Sequence, residues 1–238
     1  MIDGSSRPRD LTFPQHVRGL NFFDTDANLH LFLERAAPGL LQRRNDVLCR
    51  IGAFAGDRLD RQAEQSDQDF PPALKDLPNH RTAPTGRRNE IRLNWEYEEC
   101  QQELYRSGIV AVCFDKSAPE SQILPFISMY MVAQSDIATG CPFAMTHPTA
   151  FVLDRLAPPA VKDKYLPEIL RTDGKTAICG TWATERHSGS DIGNTVTTAS
   201  RQDDGSFRLQ GHNWFTSAFG FRKFMAIKTA RPVGAPAG

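Results

Sequence analysis

The patterning of this chain changes character at Asp173-Gly174, and that change restricts its fold more than any other feature. Upstream, apolar residues recur at three- and four-residue intervals, the spacing of helices that bury one face. Downstream, residues 176–184, 195–201, 206–210 and 224–230 are rich in β-branched and aromatic side chains, and the first three alternate at period two. Helices first and strands afterwards specify an α+β chain. The expected division is an N-terminal arm over 1–27, an all-helical domain over 28–172, and a partial β-domain over 173–238.

Thr25-Asp26-Ala27-Asn28 offers caps for a helix with apolar positions Leu29, Phe32, Leu33 and Ala36, and Pro38 ends it or opens the next. Leu40, Leu41, Val47, Leu48, Ile51 and Phe54 predict an amphipathic helix with a polar tail towards Gln65. Asp67 to Asn89 is rich in Pro, Asp and Arg, lacks an apolar period and reads as a loop. Trp95, Tyr97, Leu104 and Tyr105 mark a helix closed by Ser107-Gly108. A long helix is predicted from Ala118-Pro119-Glu120 to Gly140 as its C′ glycine, and two more over 143–156 and 160–170. Asp203-Asp204-Gly205 signals a hairpin turn.

Composition narrows the function classes. The 28 basic and 28 acidic residues cancel, which removes a global electrostatic case for nucleic acid or an anionic membrane. No apolar run approaches the length of a membrane span, and Met1 to Asp10 lacks an apolar signal core. The five cysteines (49, 100, 113, 141 and 179) show neither CxxC nor His-paired spacing, so buried reduced thiols and no metal site are expected. A cytoplasmic setting follows, a mitochondrial or peroxisomal one staying open.

Two segments carry chemistry. In 183–191, Thr184-Glu185 at a strand end is followed by His187-Ser188-Gly189-Ser190-Asp191, where Gly189 lets backbone approach a ligand and Ser190 with neighbouring amides can donate to a phosphate. The bland alternative is a polar loop capped by Ser and Asp. Ser188 to Gly193 lacks the G-x-G-x-x-G spacing and opens no helix, so a Rossmann site fails. About one hairpin later comes Asn213-Trp214-Phe215-Thr216-Ser217. A flavin ring needs an aromatic wall and a few donors; Phe215 can be the wall and Ser217 the donor. Alone, the segment reads equally as a half-buried strand.

Together these residues resemble the central β-domain of acyl-CoA dehydrogenases. The resemblance rests on Thr184-Glu185-x4-Ser190-Asp191 and on Gly205-x-Phe207-Arg208-Leu209-x-Gly211-His212-x-Trp214-Phe215-x-Ser217. The Gly-His-x-Trp-Phe-x-Ser form and Cys141-Pro142-x2-Met145-Thr146 are most similar to the alkylation-response (AidB-like) branch. The family fold implies a middle antiparallel β-barrel after the helical domain, then a C-terminal helical bundle, with FAD between barrel and bundle. No counterpart of that bundle is recognised, and the strands before Gly238 leave open edges, so the chain is expected to be cut short.

The resemblance implies cofactor contacts at Trp182, Ala183, Thr184, Gly189, Ser190, Phe215, Thr216 and Ser217. Thr184 and Ser217 would meet the flavin ring, Phe215 would stack near it, and Gly189 with Ser190 would hold the pyrophosphate. Ser190 would also touch an acyl-CoA substrate, and Met145-Thr146 would approach the ring side. The family's Lys is Asn213 here, and Arg186-His187 replaces its usual residues after Thr-Glu. The family's catalytic carboxylate belongs to the bundle, so no catalytic residue is assigned; Glu185, His187 and His212 are poor candidates for the base. The expected function is an FAD-dependent oxidoreductase acting on CH–CH groups in fatty acid metabolism, inactive as this piece and a homo-oligomer when full-length. The alternative is a flavoprotein with a DNA-protection role and little dehydrogenase activity.

Overall fold

The computed structural model describes residues 17–76, 89–117 and 119–234. Residues 1–16 of the expected arm, the Pro78 and Pro84-Thr85-Gly86 segment, Ala118 and the last four residues lie outside the described residues.

Helix α1 (Ala27–Ala36) starts where its caps predict: the Asp26 carboxylate accepts from the Leu29 amide at 2.9 Å. The same carboxylate accepts from the Tyr130 hydroxyl at 2.6 Å, which fastens the first helix to a later one and holds the Asp26 pKa down. Leu29 and Leu33 are buried, whereas Phe32 is half exposed. Helix α2 (Pro38–Phe54), a π turn (Ala55–Leu59) and α3 (Asp60–Gln68) form one continuous run, kinked at Arg44 where φ is −131°. Residues 17–25 cross this run at close quarters. The Gly19 amide donates to Gly56 O at 2.7 Å, and a Cβ on Gly56 would fall 1.8 Å from Leu20 O, so the crossing requires glycine.

The expected loop over 67–89 contains a hairpin instead: β1 (Ala73–Asp76) pairs antiparallel with β2 (Asn89–Arg92). Four-residue strands without apolar alternation leave no periodic signal. Helix α4 (Trp95–Arg106) ends at Ser107 and Gly108, the latter at φ 74°, as the sequence implies. The predicted helix to Gly140 is two helices, α5 (Leu124–Ser135) and α6 (Ile137–Leu156), preceded by a 3-10 turn over Pro119–Ile123. The break falls at Asp136, whose carboxylate caps the amides of Ala138 and Thr139 at 2.9 and 3.1 Å. Gly140 lies inside α6, which also accommodates Pro142 and Pro148. Helix α7 (Pro159–Ile169) completes the helical part.

Strand β3 (Ile178–Trp182) lies along α6 and joins the helical core through Ala177, Ile178 and Cys179. Two polar clasps hold it there. The Gln102 amide both donates to Thr176 O and accepts from Thr176 N, each at 3.0 Å. The buried Thr146 hydroxyl accepts from the Cys179 amide at 2.9 Å and from the Tyr105 hydroxyl at 3.0 Å.

The α+β layout holds, with mixed strand pairing. Strands β4 (Thr198–Arg201) and β5 (Phe207–Gln210) form the antiparallel hairpin that Asp203-Asp204-Gly205 signals. Strand β6 (Phe224–Lys228) pairs parallel to β3, and β7 (Arg231–Pro232) parallel to β4. No closed barrel forms among the described residues. None of their helices is long and apolar enough to cross a membrane. The five cysteines are free; Cys100, Cys113 and Cys179 are buried, and burial pushes each thiol up to about 12. Cys141 is exposed and Cys49 half-buried, against the expectation that all would be interior.

Candidate functional site

The two chemistry-bearing segments meet as neighbouring strand ends. The Trp214 amide donates to Thr184 O at 3.0 Å, and the Asn213 side chain donates to Trp182 O at 3.0 Å and Thr184 O at 3.3 Å. Glu185 and Asn213 form an isolated antiparallel bridge. The Trp182 indole N–H donates to Ser217 O at 2.9 Å, bringing the 215–217 turn against the end of β3. That approach leaves no room for a side chain at Gly180, where a Cβ would stand 2.2 Å from Ser217 O.

Each expected contact residue has a definite place on this wall. Thr184 is half-buried, and Gly189 lies beside it: a Cβ there would be 3.6 Å from Thr184 Cγ2. Gly189 and Ser190 are exposed on a turn closed by the Glu185 amide donating to Ser188 O at 2.7 Å. Ser188 is buried and its hydroxyl has no hydrogen-bond partner. Phe215 adopts φ 58°, an unfavourable conformation for an aromatic residue, and is 71 % exposed. Thr216 is exposed and Ala183 half-buried, while the half-buried Ser217 hydroxyl lies 4.0 Å from the Cys141 thiol of α6.

Thr146 and Met145 both contact β3. Thr146 is wholly buried, its hydroxyl serving Cys179 and Tyr105, because the small polar residue faces β3. Met145 Sδ accepts from the Thr181 amide at 3.2 Å, a contact within the scaffold.

Glu185 is no base. Its Oε1 accepts from Thr195 Oγ1 at 2.6 Å, Thr197 N at 3.1 Å, the Thr197 hydroxyl and Lys228 Nζ at 2.8 Å; Oε2 accepts from Val196 N at 2.6 Å. Burial raises the carboxyl pKa, but Lys228, Thr195, Thr197 and Val196 outweigh it and hold the group well below the carboxylate range. His187 and His212 are exposed. Sequence reading missed Thr197 and Lys228 as builders of this wall; isolated polar residues in or beside strands carry no spacing signal.

A large cavity of about 640 Å³ opens elsewhere, between α5 and α6, and touches none of the eight expected residues. His147 lies there between Phe126 and Phe151, edge-on to both. Its Nε2 is buried without a partner, and burial lowers its pKa. Among the described residues no cluster of three His, Cys, Asp or Glu could hold a metal ion.

The described helices and strands share the fold of acyl-CoA dehydrogenase-type proteins. The apo form of Bd2924 superimposes with a TM-score of 0.80 at 29% identity, covering 93% of this chain and 44% of that one. Caenorhabditis elegans ACDH-11, in complex with C11-CoA, superimposes at 0.76 and 21% identity, covering 98% of this chain and 40% of its own. Residues 13–173 match the family described as the adaptive response protein AidB N-terminal domain, and the chain belongs to that family. AidB of Escherichia coli (strain K12) is 28% identical over 143 residues, 56% of this chain and 26% of AidB. Acyl-CoA dehydrogenase family member 11 of C. elegans is 28% identical over 131 residues, 52% of this chain. The chain thus matches about a quarter of these curated relatives' length, 26% and 21%.

Proposed function

We propose that this chain forms one wall of an FAD site in an acyl-CoA dehydrogenase-like flavoprotein. The observation that carries the reading is the junction at Thr184, whose carbonyl takes both the Trp214 amide and the Asn213 side chain and so joins the two segments into one surface. The chemistry of the wall fits the cofactor. Phe215 offers an aromatic face to the ring, and Thr184 and Ser217 offer hydroxyls to its polar edge. Gly189 and Ser190 offer a small-residue turn to the pyrophosphate, with Arg186 exposed beside them and the unpartnered Ser188 hydroxyl beneath. Ser190 is also the proposed contact to the CoA moiety of an acyl-CoA.

When bound, the flavin supplies a hydride acceptor. The chain's own residues orient it and shield one side from water. Removal of a weakly acidic α-proton requires a positioned base. Glu185 cannot serve, with both carboxylate oxygens buried and occupied, so this wall is proposed to bind without turning over an acyl-CoA by itself. Assembly into a homo-oligomer and a role in fatty acid metabolism belong to the same proposal for the whole protein.

Among the described residues the DNA-protection alternative draws on no comparable feature. Net charge is zero, and exposed arginines such as Arg18, Arg50, Arg61 and Arg106 are paired with carboxylates. Titration of the purified chain with FAD, followed by visible absorbance after desalting, tests the main reading. Retained flavin in proportion to protein supports it; a colourless protein counts against it. Salt-dependent binding to duplex DNA would favour the alternative.

A further inference from the structure

Resting on the flavin reading, the geometry points to a further pair of residues: we propose that Glu185 and Lys228 are positioning residues that latch the Thr184–Asp191 turn in the shape that receives the cofactor's pyrophosphate.

The pair is buried from both sides, with side-chain exposures of 1% for Glu185 and 6% for Lys228. It joins segments distant in sequence. Lys228 is the last residue of β6 and pairs in register with Trp182, the last residue of β3. Glu185 lies three residues past Trp182 and draws in the 195–197 segment through Thr195, Val196 and Thr197. Its own amide closes the turn on Ser188 O, and its backbone bridges Asn213. A single residue therefore contacts four segments of the wall: the turn at Ser188, the 195–197 segment ahead of β4, the end of β6 at Lys228 and the return at Asn213.

The chemistry of the latch is informative. A buried ion pair pays a desolvation cost that well-packed apolar residues of similar volume avoid, so it is a poor device for stability alone. A carboxylate in place of a neutral group provides several acceptor sites in one plane, enough to fix two hydroxyls, two amides and an ammonium at once. Such a device specifies arrangement. What it arranges is the turn of Ser188, Gly189 and Ser190, where a buried hydroxyl without a partner stands beneath exposed small residues. Supporting groups of this kind keep contact residues within reach of a ligand, and their loss costs about 10–100-fold in comparable metal sites.

The test compares the wild-type chain with Glu185→Gln, Lys228→Arg and the double variant Glu185→Gln/Lys228→Met. Three measurements are made: thermal unfolding, amide hydrogen exchange over 186–191 and 195–197 without flavin, and FAD affinity by fluorescence quenching. Glu185→Gln is expected to speed exchange in both segments and weaken FAD by about 10-fold or more. The double variant, which leaves no unpaired buried charge, is expected to unfold near the wild-type temperature yet still bind FAD weakly. Lys228→Arg, which keeps the charge pair, is expected to retain FAD binding close to wild type. A double variant that melts and binds like wild type overturns the proposal, because the pair would then be replaceable packing. Exchange over 186–191 that stays at the wild-type rate in Glu185→Gln also overturns it. If the wild-type chain itself fails to bind FAD, the flavin reading falls, and the exchange rates alone then support or reject the latch. Should Glu185→Gln fail to fold, the double variant and Lys228→Arg decide the matter.

Discussion

The side-chain amide of Asn213 donates to the carbonyl oxygen of Trp182 at 3.0 Å, so the residue that departs from the family's usual Lys is a tie between two strand ends. A second bond to Thr184 O spends the other amide proton on the same strand end. Lysine could donate to the same carbonyls, but as a strongly hydrated charge it would favour solvent. The neutral amide keeps the wall closed without adding charge beside the proposed ring.

Asn213→Ala is expected to cost about 1 kcal/mol, the worth of a part-buried hydrogen bond or somewhat more. Flavin retention should fall more steeply than stability, since the carbonyls of Trp182 and Thr184 lose their alignment. Urea unfolding and flavin titration of the same preparation check this; equal losses in both would assign Asn213 to packing alone.

Thr146→Val should destabilise the junction of helices and sheet. It leaves the Cys179 amide and Tyr105 hydroxyl without their buried acceptor, at about 1–3 kcal/mol for each. Thr146→Ser keeps the acceptor and should cost only about 1 kcal/mol for the lost methyl. Chemical denaturation of the two variants separates the hydroxyl from the packing.

Gly180→Ala places a methyl 2.2 Å from Ser217 O, a backbone atom that cannot swing aside. Overpacking of this kind costs about 1–3 kcal/mol. The Trp182–Ser217 hydrogen bond should lengthen, shifting tryptophan fluorescence towards longer wavelength. An unchanged emission spectrum would contradict the close approach.

His147 gives a pH dependence with a definite sign. Its ordinary pKa is 6.5, and burial lowers it in the folded chain. The unfolded chain therefore takes up a proton first, and stability contributed above about pH 6.5 is lost as pH falls through the folded value. His147→Phe should flatten this part of the stability profile between pH 7 and pH 5 relative to wild type, as measured by urea midpoints. Parallel profiles would contradict the buried neutral imidazole.

Much of the fold was legible because local rules and tertiary packing agreed. Asp26 caps α1, Ser107-Gly108 closes α4, and Asp203-Asp204-Gly205 turns the β4–β5 hairpin, each as read from the sequence. The β1–β2 hairpin was not legible, since Ala73–Asp76 offers no alternation and sits among prolines. Helix α6 was legible only from residue 143, because Gly140 read as the C′ glycine of the preceding helix; in the fold the Asp136 carboxylate starts α6 by capping Ala138 and Thr139, and Gly140 lies inside it. The two segments that carry Thr184 and Ser217 were readable from motif spacing, and the fold brings them side by side. Lys228 was not, because its partner Glu185 is 43 residues away and only strand pairing brings them together.

The most direct measurement of the central claim is a flavin titration of the purified chain beside its Phe215→Ala and Ser217→Ala variants, read by the visible difference spectrum. The account predicts a saturable spectral change for the wild type that Phe215→Ala reduces and Ser217→Ala shifts in shape, with the thermal unfolding of both variants unchanged. Saturable binding with identical spectra in all three proteins would contradict it, since the flavin would then be seated away from the strand-end wall.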